Sequence, residues 1–162
     1  MKTKREATQA LIFLRRFIGP AQLQCLGDAC RGEEKQYFFD LLCEYAGRIV
    51  VMPKTYQTDG QGDEALVHLH YFTSSCDWWI REKDQEAEQL QAFGWASLNG
   101  YEPELGYISI EELLENGAEL DLHWTPKPFS KIKAKPEAPL AFEFHCLPAP
   151  VRDPRPWRRI QL

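Results

Sequence analysis

Two histidines, His68 and His70, stand two residues apart in the run ALVHLHYF, and Cys76 and Asp77 follow soon after. Residues two apart on a strand share a face, so this pair with Cys76 or Asp77 on the next strand has the donor types of a zinc or copper site. Strand histidines that bind no metal are the commoner arrangement, and no Cys-x-x-Cys or downstream histidine pair at zinc-finger spacing accompanies them; no metal is expected. Asp77, Glu82, Glu104 and Glu112 have the chemistry of general acid-base pairs or of a magnesium site. They lie among so many acids that pairing by chance is inevitable, and no obvious nucleophile or electrophile stands with them. A Cys-His hydrolase would need Cys76 beside His68, His70 or His123, and nothing in the spacing favours that over burial. The loop DGQGDE has two glycines but precedes a strand and lacks the Lys-Ser/Thr of a phosphate cradle. No catalytic group and no cofactor are therefore expected.

The elements that position these residues fall into three zones. REATQALIFLRRF carries apolar residues at helical spacing and is followed by Gly19-Pro20. EEKQYFFDLLCEYAG repeats the pattern, with Tyr37, Phe38, Leu41, Leu42 and Tyr45 on one face and Gly47 where a C-cap glycine belongs. Between them AQLQCLGDAC predicts a short helix broken at Gly27. After the polar loop MPKTYQTDGQGDE the period changes to two. ALVHLHYF, DWWIRE, AFGWASL and ELGYISI read as strands. Ser109 with Glu112 three residues on predicts a capping box for a short helix closed by Asn116-Gly117, and ELDLHW should return to the sheet. Residues 125–162 hold eight of the eleven prolines and read as a basic extended arm. Within it LAFEFHCL alternates like an edge strand.

The adjacent tryptophans Trp78 and Trp79 must point to opposite faces of a strand. Trp78 and Ile80 form the better core face; Glu82, two further on, falls on that side by simple alternation. Trp79 faces the other way, toward the side on which neighbouring strands offer Phe93 with Trp95 and Leu105 with Tyr107. An antiparallel sheet tolerates one wet face, but a wet face has no use for several large aromatics. The proline-rich arm, a partner or a second subunit should cover them, with the arm or a partner favoured.

Charge is the most uneven property. Residues 1–58 carry a net +3, residues 59–126 a net −13, and residues 127–162 a net +5, within a total of −5. So acidic a centre repels phosphate and argues against nucleic acid as its ligand, while Arg152, Arg155, Arg158 and Arg159 leave the arm able to touch it. At 44% hydrophobic and 27% charged the composition is that of a globular protein, with no run long enough for a membrane span. ALIFL, hemmed by Arg15 and Arg16, reads as part of an amphipathic helix and not as a signal peptide. The five cysteines form an odd set and are expected to be free, mostly buried thiols of a cytoplasmic protein.

Residues 50–126, with their D-W-W-x-x-E segment, F-G-W strand, E-L-G-Y-I-S followed by an acidic helix, and closing E-L-D-L, resemble an uncharacterised bacterial family of unknown function. Members of that family are often carried on plasmids, phages and other mobile elements. The resemblance implies a mobile-element accessory protein and no particular mechanism.

The sequence thus predicts an α+β fold in which N-terminal helices pack on a mainly antiparallel sheet of four to six strands, followed by an extended proline-rich C-terminal tail. Residues 1–126 form one domain, with a helical front at 1–50 and the sheet at 65–124; 127–162 form a basic extension packed in part on the sheet. The expected function is non-enzymatic binding of a basic protein partner through Asp77, Trp79, Glu82, Trp95, Glu104 and Tyr107, as an inhibitor of a host defence complex. The alternative is a small enzyme or ligand-binding domain with a carboxylate-aromatic pocket on the same face.

Overall fold

A computed structural model describes residues 1–84 and 91–133. Three helices come first: α1 (Lys4–Leu14), α2 (Pro20–Ala29) and α3 (Lys35–Val51). A capping box opens α1, where the Thr3 hydroxyl accepts from the Glu6 amide and the Glu6 carboxylate accepts from the Thr3 amide. Pro20 does not simply end α1; it starts α2 from the first-turn position where its missing N–H costs nothing. α2 runs through Gly27 unbroken. α3 likewise runs past Gly47 to Val51, and it stops where Met52 turns extended ahead of Pro53. Its buried stripe is Phe39, Leu42, Tyr45 and Ile49, and Tyr37 is left exposed.

The strands are β1 (Leu66–Val67), β2 (Leu69–Phe72), β3 (Cys76–Glu82), β4 (Gln91–Leu98) and β5 (Glu104–Ser109); then come α4 (Ile110–Glu115), β6 (Glu119–Leu120), β7 (Lys127–Pro128) and α5 (Phe129–Lys133). Five strands form an antiparallel sheet in the order β5-β4-β3-β2-β6, and β1 pairs with β7 in a separate ribbon. The fold is therefore α+β. Ser109 caps α4 by accepting from the Glu112 amide, and Gly117 supplies the positive φ that closes it. ELDLHW leaves the sheet after Leu120, because the Asp121 carboxylate accepts from the His123 amide in a side-chain turn. No helix among the described residues is long and apolar enough to cross a membrane.

The two sheet faces have separate cores. On the helix side Leu69, Tyr71, Ile80, Ala92, Ile108 and Leu120 meet α1–α3, with Trp78 packed against them. On the other side Trp95 clusters with Ala65, Val67, Trp124 and Phe129, and Trp79 packs on that group. Of the cysteines, Cys25 is exposed and Cys30, Cys43 and Cys76 are half-buried, all free; Cys30 and Cys43 pack against the edge of the helix-side core, so burial is shallower than expected. Cys146, LAFEFHCL and the arginines of the arm lie outside the described residues.

Gly94 lies where β3 and β4 approach most closely. A Cβ there would stand 2.0 Å from the Trp79 carbonyl oxygen, a backbone atom that cannot swing away. Gly94→Ala should therefore lower the unfolding free energy by about 2 kcal/mol or more in urea titrations. Gly106→Ala, where a Cβ meets nothing within 4 Å, is the control. Equal effects of the two substitutions would remove the close approach as the cause.

Candidate functional site

The second sheet face carries five of the six residues that sequence reasoning selected, Glu104 falling on the helix side opposite Ala96, and the chain divides the five between a covered centre and an open flank. The cover is made by residues 124–133. Trp124 turns in after the Asp121 turn and donates its indole N–H to the Val67 carbonyl at 3.2 Å. The β1–β7 ribbon then delivers Phe129, whose amide donates to Ala65 O. The Phe129 ring stacks on Trp95 with centroids 3.9 Å apart and meets Trp79 edge-on at 5.6 Å. Trp95 is left only 4% exposed, so the face expected to need a cover receives it from this chain. Phe129 also occupies the space over Trp95 in which a ligand pocket would have to lie.

At the β2 end, His70 lies between two carboxylates. Its Nε2 is 2.8 Å from Asp77 Oδ1 and its Nδ1 is 3.1 Å from Asp121 Oδ2, while its ring stacks on Trp79. The anticipated histidine site thus brings His70 and Asp77 together, but not His68 or Cys76; the Cys76 thiol instead pairs with Ser75 Oγ. No group of three His, Cys, Asp or Glu side chains placed so that it could hold a metal ion occurs among the described residues. His68 lies beside Arg48, and burial, helped by that cation, holds its pKa below the ordinary histidine range. Its unfolded pKa is about 6.5, so the stability it contributes is complete above that value and is lost as pH falls through the lower folded value. Unfolding free energy should therefore decline as the pH falls below about 6.5, and His68→Gln should flatten that decline. An unaltered profile in the variant would contradict this assignment.

Toward β5 the chemistry changes. The ladder shifts register between Ile80 and Glu82, and Glu82 pairs with Phe93. That bulge moves Glu82 from the helix side, where alternation placed it, to the second face. Glu82 is 1% exposed there and accepts from the amides of Tyr56 (3.0 Å) and Thr58 (2.8 Å) and from the Thr58 hydroxyl. It anchors the loop ahead of β1; it does not present a charge to solvent. The Arg81 guanidinium, also buried, lies over the rings of Phe93 (4.9 Å) and Trp95 (5.4 Å). Tyr56, at φ 73° with its N–H donating to the Glu82 carboxylate, reaches across to hydrogen-bond Tyr107, hydroxyl to hydroxyl, at 3.0 Å. That bond, ahead of desolvation, pushes the Tyr107 phenol upward in pKa.

The open flank runs along β5. Leu105 (48% exposed), Tyr107 (57%), Tyr56 (63%) and Tyr101 (74%) form an apolar-aromatic strip, with Glu102 and Glu104 exposed beside it. β5 pairs with β4 on one side and with no strand on the other among the described residues. Of the residues selected from sequence, Tyr107 stands on this face of the flank, and Glu104 belongs to the same edge strand but to its opposite face. Asp77 lies half-exposed with His70, Trp79 is half-buried, and Trp95 and Glu82 are enclosed. Sequence reasoning missed Tyr56 and Asp121. Tyr56 sits in a loop whose contact partner lies 51 residues away, and Asp121 was read as one more strand residue. The turn residues around Tyr56, TYQTDGQG, were the only local signal.

Comparisons with models of known families, with curated proteins and with solved structures return no match for this chain.

Proposed function

We propose that the protein is a non-enzymatic binding module that receives a basic protein partner on its acidic, aromatic β5 flank. The observation that carries this reading is the fate of the cations. Residues 91–126 contain seven carboxylates and no Lys or Arg. The two cations of the wider acidic segment, Arg81 and Lys83, are both turned inward, Arg81 beneath the loop at 53–61 and Lys83 with its ammonium donating to the Ile49 and Val50 carbonyls at the end of α3. Of those carboxylates Glu104 and Glu102 lie on β5 and the turn before it, while Glu119 and Asp121 lie at the opposite, β6 edge with Asp121 paired to His70; the charge at β5 adjoins exposed tyrosines, which commonly carry binding energy at protein interfaces. Such charge raises the rate of encounter with a basic partner and discriminates against acidic ones.

The finer reading rests on the resemblance to mobile-element proteins. The partner is a nucleic-acid-binding component of a host defence complex, and the flank occupies the place of phosphate on it.

The test is capture from bacterial lysate with the full chain, at low and high salt and with competing DNA. The Glu102→Lys/Glu104→Lys and Tyr107→Ala variants are run in parallel. A basic protein retained at low salt, displaced by DNA and lost in both variants is the expected result. Capture indifferent to salt and to charge reversal would overturn the reading.

A further inference from the structure

The helix side of the sheet contains a cavity of about 310 Å³ between the C-terminal ends of α1 and α3 and the sheet. Its size falls within the roughly 300–1,000 Å³ of small-molecule pockets. It exists because β4 offers only the small side chain of Ala92 toward the helices there, and a close-packed interior would otherwise have filled the space. The walls are apolar, from Phe17, Ile49, Leu69, Ile80 and Ile110. Ile12, Phe13 and Val50 line the cavity and are also exposed, which carries the apolar surface outward to the mouth.

Three cations share this lining: Arg16, Lys54 and Lys83. Lys83 is committed to the α3 carbonyls, and burial lowers its pKa. Arg16 and Lys54 are exposed and make no ion pair with another described residue. Among the described residues Asp84 is the one carboxylate of the lining, and it reduces the positive charge of Arg16, Lys54 and Lys83 without cancelling it. An apolar chamber whose described lining carries more positive than negative charge is complementary to an apolar molecule with a single negative charge at one end.

We propose that this cavity binds a medium-chain aliphatic carboxylate, with the chain against Leu69, Ile80 and Ile110 and the carboxylate between Arg16 and Lys54. The site lies on the opposite side of the sheet from the β5 flank and stands whether or not that flank binds a protein.

Decanoate, kept below its micelle concentration, serves as the probe in calorimetric titration of the full chain, with decylamine as the charge control. Saturable one-to-one binding of decanoate, a raised unfolding temperature in its presence and no saturable binding of decylamine are expected. Arg16→Glu/Lys54→Glu should weaken decanoate about tenfold while leaving unfolding of the ligand-free protein unchanged. Ala92→Leu should abolish binding by filling the chamber. Absence of saturable binding, equal binding of decylamine, or undiminished affinity in the doubly charge-reversed protein would each overturn the proposal.

Discussion

Glu82→Ala is expected to lower the unfolding free energy by about 3 kcal/mol, a large share of the roughly 5–15 kcal/mol of an ordinary domain. The carboxylate is 1% exposed and accepts from two amides and a hydroxyl of the loop above it. Removing it leaves those donors without an acceptor in a dry site, and Arg81, 4.0 Å away and also buried, loses its nearest enclosed countercharge. Tyr56, which sits at positive φ, would lose the acceptor of its N–H, so its contact with Tyr107 should loosen as well. Denaturant titration measures the loss. Glu82→Gln, which keeps an acceptor oxygen, should fall between the alanine variant and the parent. A loss under about 1 kcal/mol in Glu82→Ala would show that the loop is held by something else.

Phe129→Ala is expected to cost about 3–4 kcal/mol, as a buried aromatic replaced by a cavity usually does. Its ring stacks 3.9 Å from Trp95 and closes the second core over Ala65 and Val67. The same substitution should let water reach Trp95, so acrylamide quenching of tryptophan fluorescence should rise in the folded variant. If Phe129→Ala left both stability and quenching unchanged, residues 124–133 would not be the cover of this face.

How much of this could be read from the chain follows from how local each cause is. The helical stripes, the alternating strands and the Ser109 cap depend on residues within one turn or one strand, and they appear where their spacing places them. The opposed tryptophans led correctly to a second apolar face, since alternation alone sends Trp79 away from Trp78. Alternation failed at Glu82, because a bulge is decided by the neighbouring strand's Gly94 and Phe93 and not by the strand that bulges. Gly47 misled for a similar reason: packing of Ile49 carries α3 through a residue of low helix propensity, and the helix stops only where Met52 meets Pro53. Of the six binding residues selected, Trp95 and Glu82 drew attention through their chemistry, yet that chemistry is spent inside the fold. Tyr56 was invisible beside Tyr107 because 51 positions separate them.

On the proposed function, a partner occupies the β5 flank with Tyr107 at the middle of the contact. Photo-crosslinking from a benzophenone amino acid placed at position 107, compared with the same group at the exposed helical position Gln9, tests it most directly. The predicted result is one discrete basic protein crosslinked from 107, absent from 9, and lost when Glu104→Lys is added. A partner crosslinked from 9 and not from 107, or one from 107 that survives the charge reversal, would contradict the claim.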